Sequence, residues 1–365
     1  MSLPPCFPHH PGADPSGLAQ IAARLASGPV LALRQAGNGG NSRLYRVETE
    51  TGPCALKLYP PRGIGGPDRL GHERAALSFL HTHGAAVPRL LGSDPDADAA
   101  LLEWIDGVRP TANVLGPPLT AMIAFLERLH GLRHASGAAE LPQAVEACPS
   151  AAELLRQIEV RRPRLAQVAE APGNGGLARL LGEALTPAFA RLRTRLDTLY
   201  DRAGLAPDRT VPLHGLTLSP SDFGLHNALC RPDGTIVFLD FEYFGWDDPV
   251  KLVADTLWHP GMQLSGDGRG RFLTAAEAIY GTDPAFPVRL AAQVGFFGLR
   301  WCLIVLSDFL PERWAHRVHA GAGGSWEDAK RIQMAKAEAL LDRVVHILDV
   351  DPMDWPAAFN SAGND

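Results

Sequence analysis

The sequence predicts an α+β fold in two lobes: a small antiparallel-sheet lobe over residues 14–106 and a larger, mainly helical lobe over 107–359. Three observations carry this expectation. The first hundred residues hold short apolar and β-branched runs separated by Gly, Asn and Pro turns. After Asp106-Gly107 the apolar spacing changes to that of long helices. The chain has 365 residues, more than one typical domain.

Taken in order, residues 1–13 are rich in Pro and His and are expected to be disordered. Asp14 to Ala26 reads as a short helix with Asp14 as N-cap and Pro15 at its first position. Strands are expected over Val30–Gln35, Arg43–Glu48 and Cys54–Tyr59, joined by Gly37–Ser42 and by Glu50–Pro53. Pro60–Pro67 is a loop, and Asp68–Gly84 has the apolar spacing of a helix. A second strand pair, Arg89–Leu91 and Ala100–Trp104, flanks Asp94–Asp98. In the second lobe, helices are expected over Pro118–Arg133, Ala151–Ala169, Leu177–Arg202, Asp248–Trp258, Arg271–Ile279, Val288–Phe309 and Trp326–Leu348. Two small strands, Ala228–Cys230 and Ile236–Leu239, are turned by Asp233-Gly234, a type I′ signal. Residues 360–365 form a polar tail expected to fray.

Composition excludes several classes. A net charge of −6 is the wrong sign for a nucleic-acid or anionic-membrane binder. The five cysteines are scattered and show no C-x-x-C pair, which argues against a disulfide framework or zinc site and for a cytoplasmic setting. The N-terminus lacks the basic start and apolar stretch of a signal peptide. The most apolar run, Phe286–Leu306, contains Arg289 and Arg300 and reads as a core helix. No G-x-S-x-G elbow is present for a Ser/His/Asp hydrolase.

The chemically specific segment is Ser219–Asp240. Asp222, Asn227 and Asp240 each stand at a loop or strand end. An Asp that orients a hydroxyl, with an Asn and a second Asp able to hold Mg2+, is the minimal polar kit of kinase-type phosphoryl transfer. Asp222-Phe223-Gly224 resembles a metal-binding tripeptide, but the metal-binding Asp belongs after the small hairpin, where Asp240-Phe241-Glu242 stands. Upstream, Gly39, Gly40, Asn41 and Ser42 lie between two strands, so they fit neither a Rossmann turn nor a Walker A loop. A glycine hairpin can lie over nucleotide phosphates, and a plain hairpin turn satisfies the same residues. Lys57 on a strand and Glu73 on the next helix have the order of a phosphate-binding lysine and its carboxylate partner. Glu103-Trp104-Ile105 marks the lobe junction, where backbone groups can meet an adenine edge or simply form a strand end and turn. Asp247, Asp248 and Asp255 read as structural, one of the first two capping the helix near Pro249 and Asp255 bracing the loop. His214 reads as a loop histidine.

These motifs resemble the aminoglycoside phosphotransferase and choline kinase superfamily. The likeness runs from about Gly37 to Trp258 and rests on Gly39–Val47, on His72–Leu77 through Val87–Leu91, on Asp222-x-x-x-x-Asn227 and on Leu239–Tyr243. The resemblance implies a protein-kinase-like fold, ATP and Mg2+ as cofactors, and transfer of phosphate to a hydroxyl of a small molecule. It also implies Asp222 as the catalytic residue, with Asn227 and Asp240 as metal ligands. The family usually has His two residues before the catalytic Asp; here that position is Pro220, which can stiffen the loop instead. This departure motivates an alternative reading, a non-catalytic nucleotide-binding pseudokinase acting through partners. A pocket lined by Glu242, Asp247, Trp246 and Trp258, with Trp104, would suit a cationic amino-alcohol or aminoglycoside, and aromatic rings also stack on neutral sugars. The same tryptophans serve a core equally well. No nucleic-acid or membrane partner is expected, and the chain is expected to be a monomer or homodimer.

Overall fold

The computed structural model describes residues 15–38, 42–60, 66–110, 116–262, 264–319 and 323–361. The first lobe is a five-stranded antiparallel sheet in the order β1-β2-β3-β5-β4. Its strands are β1 (Val30–Asn38), β2 (Arg43–Thr49), β3 (Gly52–Leu58), β4 (Leu90–Asp94) and β5 (Ala99–Glu103). Helix α1 (Pro15–Ala26) covers one face, and α2 (Arg69–Thr82) follows β3. The central strands β3 and β5 are buried on both faces, and period 2 sorts their residues. Cys54, Leu56, Leu58, Ala99 and Leu101 join Leu18, Ile21 and Ala22 of α1 in one core. Ala55, Tyr59, Ala100 and Leu102 join Leu70, Ala76, Leu77 and Leu80 of α2 in a second core that continues into the other lobe. Asp68 caps α2 by accepting the Gly71 N–H at 3.0 Å.

The second lobe contains α3 (Pro117–Leu132), α4 (Ala151–Ala169), α5 (Gly175–Arg179) and α6 (Thr186–Ala203). Short strands follow: β6 (Thr217–Ser219), β7 (Ala228–Cys230), β8 (Ile236–Phe238) and β9 (Gly245–Asp247). The helices α7 (Pro249–Trp258), α8 (Gly266–Tyr280), α9 (Phe286–Val305), α10 (Pro311–His319), α11 (Trp326–Leu348) and α12 (Trp355–Ser361) complete it. Apolar α9 is the central core helix, packed against α4, α6, α7 and α11. Its two arginines are paired inside: Arg289 with Asp248 and Asp283, Arg300 with Asp255 and Glu146.

Several expectations are corrected. The single helix expected over Leu177–Arg202 is interrupted by a π-helical turn, Leu180–Leu185. Pro187 lacks an N–H and its ring crowds the carbonyl one turn back, so the wider turn relieves the clash. Thr186 Oγ1 donates to Leu181 C=O at 2.7 Å across the wide turn. The β7–β8 loop is not a type I′ turn, because Gly234 has positive φ (86°) and Asp233 does not. Gly234 N–H donates to Arg231 C=O and Arg231 N–H to Thr235 C=O, both at 2.9 Å, the pattern of a turn followed by a glycine bulge. Asn360 and Ser361 end α12, and Arg269 Nη2 donates to Asn360 C=O at 2.8 Å, so this part of the expected tail is tied down. The pair β6–β9 and helices α10 and α12 have no counterpart in the sequence reading; three-residue strands paired between Thr217 and Asp247 have no local signal.

Candidate active site

Strand alternation turns Lys57 toward α2, beside Ala55 and Tyr59. Lys57 is 7% exposed. Its Nζ donates to Glu73 Oε2 at 2.6 Å and to Asp240 Oδ1 at 2.6 Å, and lies 3.2 Å from Glu242 Oε2. Burial alone would lower the ammonium's pKa, but the Asp240, Glu73 and Glu242 carboxylates outweigh it and hold Lys57 well above its ordinary value. Glu73 is saturated: Oε2 also accepts the Tyr59 hydroxyl at 2.5 Å, and Oε1 accepts the Phe241 N–H at 3.1 Å. One carboxylate on α2 therefore ties the sheet lysine to the turn that carries Asp240.

The second half of the site is set by hairpin register. Ala228 pairs with Phe238, so Asn227, just before β7, lies opposite Leu239, just after β8. Leu239 N–H donates to Asn227 C=O at 2.8 Å, which places Asn227 beside Asp240. Asp240 takes a left-handed conformation (φ 65°), and its side chain is 38% exposed. Burial and the Glu242 and Glu73 carboxylates push its pKa up against the opposing pull of Lys57. Asn227 Nδ2 donates to the backbone carbonyl of Asp222 at 3.1 Å, which leaves the side-chain carbonyl oxygen as the acceptor it still has to offer.

Asp222 follows Ser221, another non-glycine residue in the left-handed region (φ 67°). Ser221 is held there from behind: Lys251 Nζ donates to its Oγ at 2.7 Å. Lys251 is itself buried between Asp247 (3.3 Å) and Asp255 (3.1 Å). Asp222 Oδ1 accepts from His226 Nε2 at 2.9 Å, and His259 Nε2 lies 3.4 Å from the same oxygen. Burial would raise the Asp222 pKa, but the His226 hydrogen bond and the two imidazoles bring it down to about 2. An ionised Asp222 thus stands on the loop that Asn227 ties to the Asp240 turn, and Asp240 is bonded to Lys57, itself held by Glu73.

The family model described as the phosphotransferase enzyme family matches residues 32–287. The chain belongs to that family. The match spans every residue of the site just described. Among curated proteins, an 80-residue stretch is 34% identical to EKC/KEOPS complex subunit BUD32 of Chaetomium globosum, covering 19% of this chain and 30% of that protein. Among solved structures, a spectinomycin phosphotransferase in complex with ADP and spectinomycin superimposes with a TM-score of 0.55 at 13% identity, covering 87% of this chain and 98% of that one. A choline kinase from Streptococcus pneumoniae gives 0.55 at 17% identity, with 89% and 99% coverage. A Plasmodium vivax ethanolamine kinase gives 0.52 at 13% identity, with 84% and 81% coverage. At these identities the solved structures establish the protein-kinase-like fold.

In this phosphotransferase-family chain, Lys57, Glu73, Asp222, Asn227 and Asp240 come together as the sequence order suggests. Gly39, Gly40 and Asn41 lie outside the described residues. Ser42 closes that loop and donates to Glu242 Oε2 at 2.9 Å. The expected pocket of Glu242, Asp247, Trp246 and Trp258 is corrected. Glu242 is buried and bound by Ser42, Lys57 and Arg69 (Nη1 at 3.0 Å), so its charge is consumed inside the protein. Asp247 is 0% exposed and accepts the Cys148 and Asp248 N–H groups. Trp246 and Trp258 are core residues whose indole N–H groups donate to Ala138 C=O and Val294 C=O. At the junction, Glu103 pairs with Arg89 and Arg231, its N–H is taken by Arg89 C=O, and Ile105 is buried. Trp104 donates to Asp106 and lies under Arg46. His214 is exposed, as a loop histidine should be. Asp248 is the cap of α7, accepting the Val250 N–H at 2.9 Å.

Sequence reasoning missed Tyr59, Arg69, Lys251, His226 and His259. Period 2 from Lys57 could have found Tyr59, and the i, i+4 spacing before Glu73 could have found Arg69. His226 stands four residues after Asp222, a spacing that could have found it too; His259 has no such signal, because α7 carries it to the loop from a distant part of the chain.

Proposed function

We infer that this chain is an ATP- and Mg2+-dependent kinase that transfers the γ-phosphate to a hydroxyl of a small molecule. The observation that carries this reading is the convergence of Glu73 and Asp240 on one buried Lys57 Nζ, each at 2.6 Å, beside the Asp222/Asn227 loop. Glu73, Asp240 and Glu242 offer oxygens within 4.8 Å of one another, but Glu73 and Glu242 are buried and saturated by donors. Asp240 remains partly exposed, and with the amide oxygen of Asn227 it makes a hard oxygen donor set that fits magnesium. Held by those two residues, magnesium would neutralise phosphate charge during transfer. Lys57, fixed by Glu73, is placed to pair with the α- and β-phosphates. The backbone of the Gly39–Ser42 loop and of Trp104–Ile105 would contact phosphates and adenine. Asp222 orients the acceptor hydroxyl and takes up its proton.

With Glu242 and Asp247 consumed inside the protein, Asp222 and Asp240 are the acidic groups of this site, among the described residues, that remain to attract a cationic acceptor. Amino-alcohols, amino sugars and neutral sugars therefore stand level as acceptor classes. The test is a phosphorylation screen across all three with Mg-ATP, alongside Asp222→Asn. Phosphate should enter one class and be lost in the variant. Nucleotide binding with no transfer to any acceptor would sink the reading.

A further inference from the structure

Two histidines beside Asp222 are unused by the reaction described so far. Their rings stack face to face, with centroids 3.9 Å apart and planes within 6°. His226 Nε2 bonds Asp222 Oδ1 at 2.9 Å and His259 Nε2 lies 3.4 Å from the same atom. The tautomer of His259 follows from its other nitrogen: Nδ1 accepts the Gly261 N–H at 2.9 Å, so in the neutral ring the proton is on Nε2, facing the carboxylate. Burial, the largest influence, keeps that ring neutral, with its pKa brought down to about 4. The ring is braced on its far side. Trp301 meets it edge-on at 4.7 Å and donates its indole N–H to Asp255 Oδ1 at 2.8 Å, while the His259 N–H donates to Asp255 C=O at 2.8 Å. Pro220, two residues before Asp222, has neither an N–H nor a side-chain donor to offer the carboxylate.

We propose that His226 and His259 are positioning residues that act as a stacked pair, holding Oδ1 of Asp222 with two N–H groups so that Oδ2 is the oxygen that meets the acceptor hydroxyl. The proposal rests on Asp222 orienting that hydroxyl. A carboxylate on a loop otherwise rotates about its Cβ–Cγ bond and presents either oxygen. One hydrogen bond and a second imidazole N–H at 3.4 Å on the same oxygen restrain that rotation, and misplacement of a reacting group by about 1 Å is worth roughly 100-fold in rate.

The test has two arms. In the apo protein at neutral pH, nitrogen-15 spectra of the imidazoles should show His259 as the neutral Nε2–H tautomer and an Nε2-bound proton on His226. With the acceptor found in the screen, His259→Phe keeps a ring to stack but no donor. It should lose roughly 10- to 100-fold in kcat, as supporting partners of reactive groups do, with the KM for ATP changed less than about twofold. His259→Gln, which restores an N–H near the Nε2 position, should recover most of that loss. An Nδ1–H tautomer at His259, or a His259→Phe kcat within about twofold of the unsubstituted protein, overturns the proposal. If no acceptor is phosphorylated at all, the functional reading fails, and the tautomers alone still decide the pairing.

Discussion

Asp222 is the residue to which the proposed reaction gives the central role, and its surroundings define what kind of group it is. Burial works to protonate it, yet the His226 hydrogen bond and the nearby imidazoles bring its pKa down to about 2. It is ionised throughout the working range. The acid limb of a pH–rate profile should therefore not report Asp222 above about pH 4, near the ordinary carboxylate value. Asp222→Asn keeps the shape and loses the charge, and turnover should fall by about 10²- to 10⁴-fold, the range for positioned general acid–base groups. ADP affinity measured calorimetrically should stay nearly unchanged. Retained turnover would remove Asp222 from its role. Glu242 is the instructive contrast. It has the same chemistry and stands two residues from Asp240, but its oxygens are filled by Ser42, Lys57 and Arg69. Availability, not residue type, separates the two carboxylates.

At the scale of elements, α7 is the part that holds the catalytic loop. Lys251 and Asp255, four residues apart, share one face, and Asp247 at the end of β9 meets Lys251 from just before the helix. Through Lys251 that face reaches Ser221, whose left-handed backbone would otherwise cost about 1 kcal/mol or more. Asp255 does not touch the loop; it reaches it through Lys251, which bonds Ser221, and through Trp301, which meets His259. Lys251→Met leaves Asp247 and Asp255 buried with one cation fewer. It should destabilise the fold by about 3–5 kcal/mol, read as a shift in urea midpoint, and loosen Asp222 as well. A variant as stable as the unsubstituted protein would show that the lysine is not the brace. The order of Lys57, Glu73, Asp222, Asn227 and Asp240 was legible beforehand because each sits on a short element whose geometry is local: a strand face, a helix turn, a hairpin register. Ser221 and His259 were not, since their partners lie on other elements and no spacing rule joins them; His226 and Lys251 stand four residues from their acidic partners, but nothing local tells such a pair from any other at that spacing.

The whole molecule is joined across the cleft by side chains from both lobes. Lys57 meets Asp240, Glu73 meets the Phe241 N–H, and Ser42 and Arg69 meet Glu242. Mg-ADP bound at this junction should stabilise both lobes together, by about 2.7 kcal/mol at a hundredfold excess over Kd. A thermal melt should rise accordingly, and Lys57→Met should abolish the rise. Acid should act globally too. His259 and His130 have folded pKa values of about 4 against an ordinary 6.5, both chiefly because burial disfavours the charged ring. Between pH 6.5 and 4 the unfolded chain binds protons that the folded chain refuses. Stability is therefore complete above about 6.5 and declines as pH falls through the window, by at most about 1.4 kcal/mol per unit for each histidine. Urea midpoints at pH 7 and pH 5 should differ in that direction, and His259→Gln should reduce the difference.

By itself the sequence determined the α+β architecture and the order of Lys57, Glu73, Asp222, Asn227 and Asp240 along it, because strand alternation, helix spacing and loop punctuation act over a few residues. Only the tertiary structure decided which acidic and aromatic residues are free to do chemistry. Glu242, Asp247, Trp246 and Trp258 looked like a pocket and are instead bonded into the interior, whereas His226 and His259, unremarked in the sequence, stand against Asp222. The physical reason is that a side chain's role depends on whether its hydrogen-bonding and charge capacity is already satisfied, and the groups that satisfy it come from distant parts of the chain.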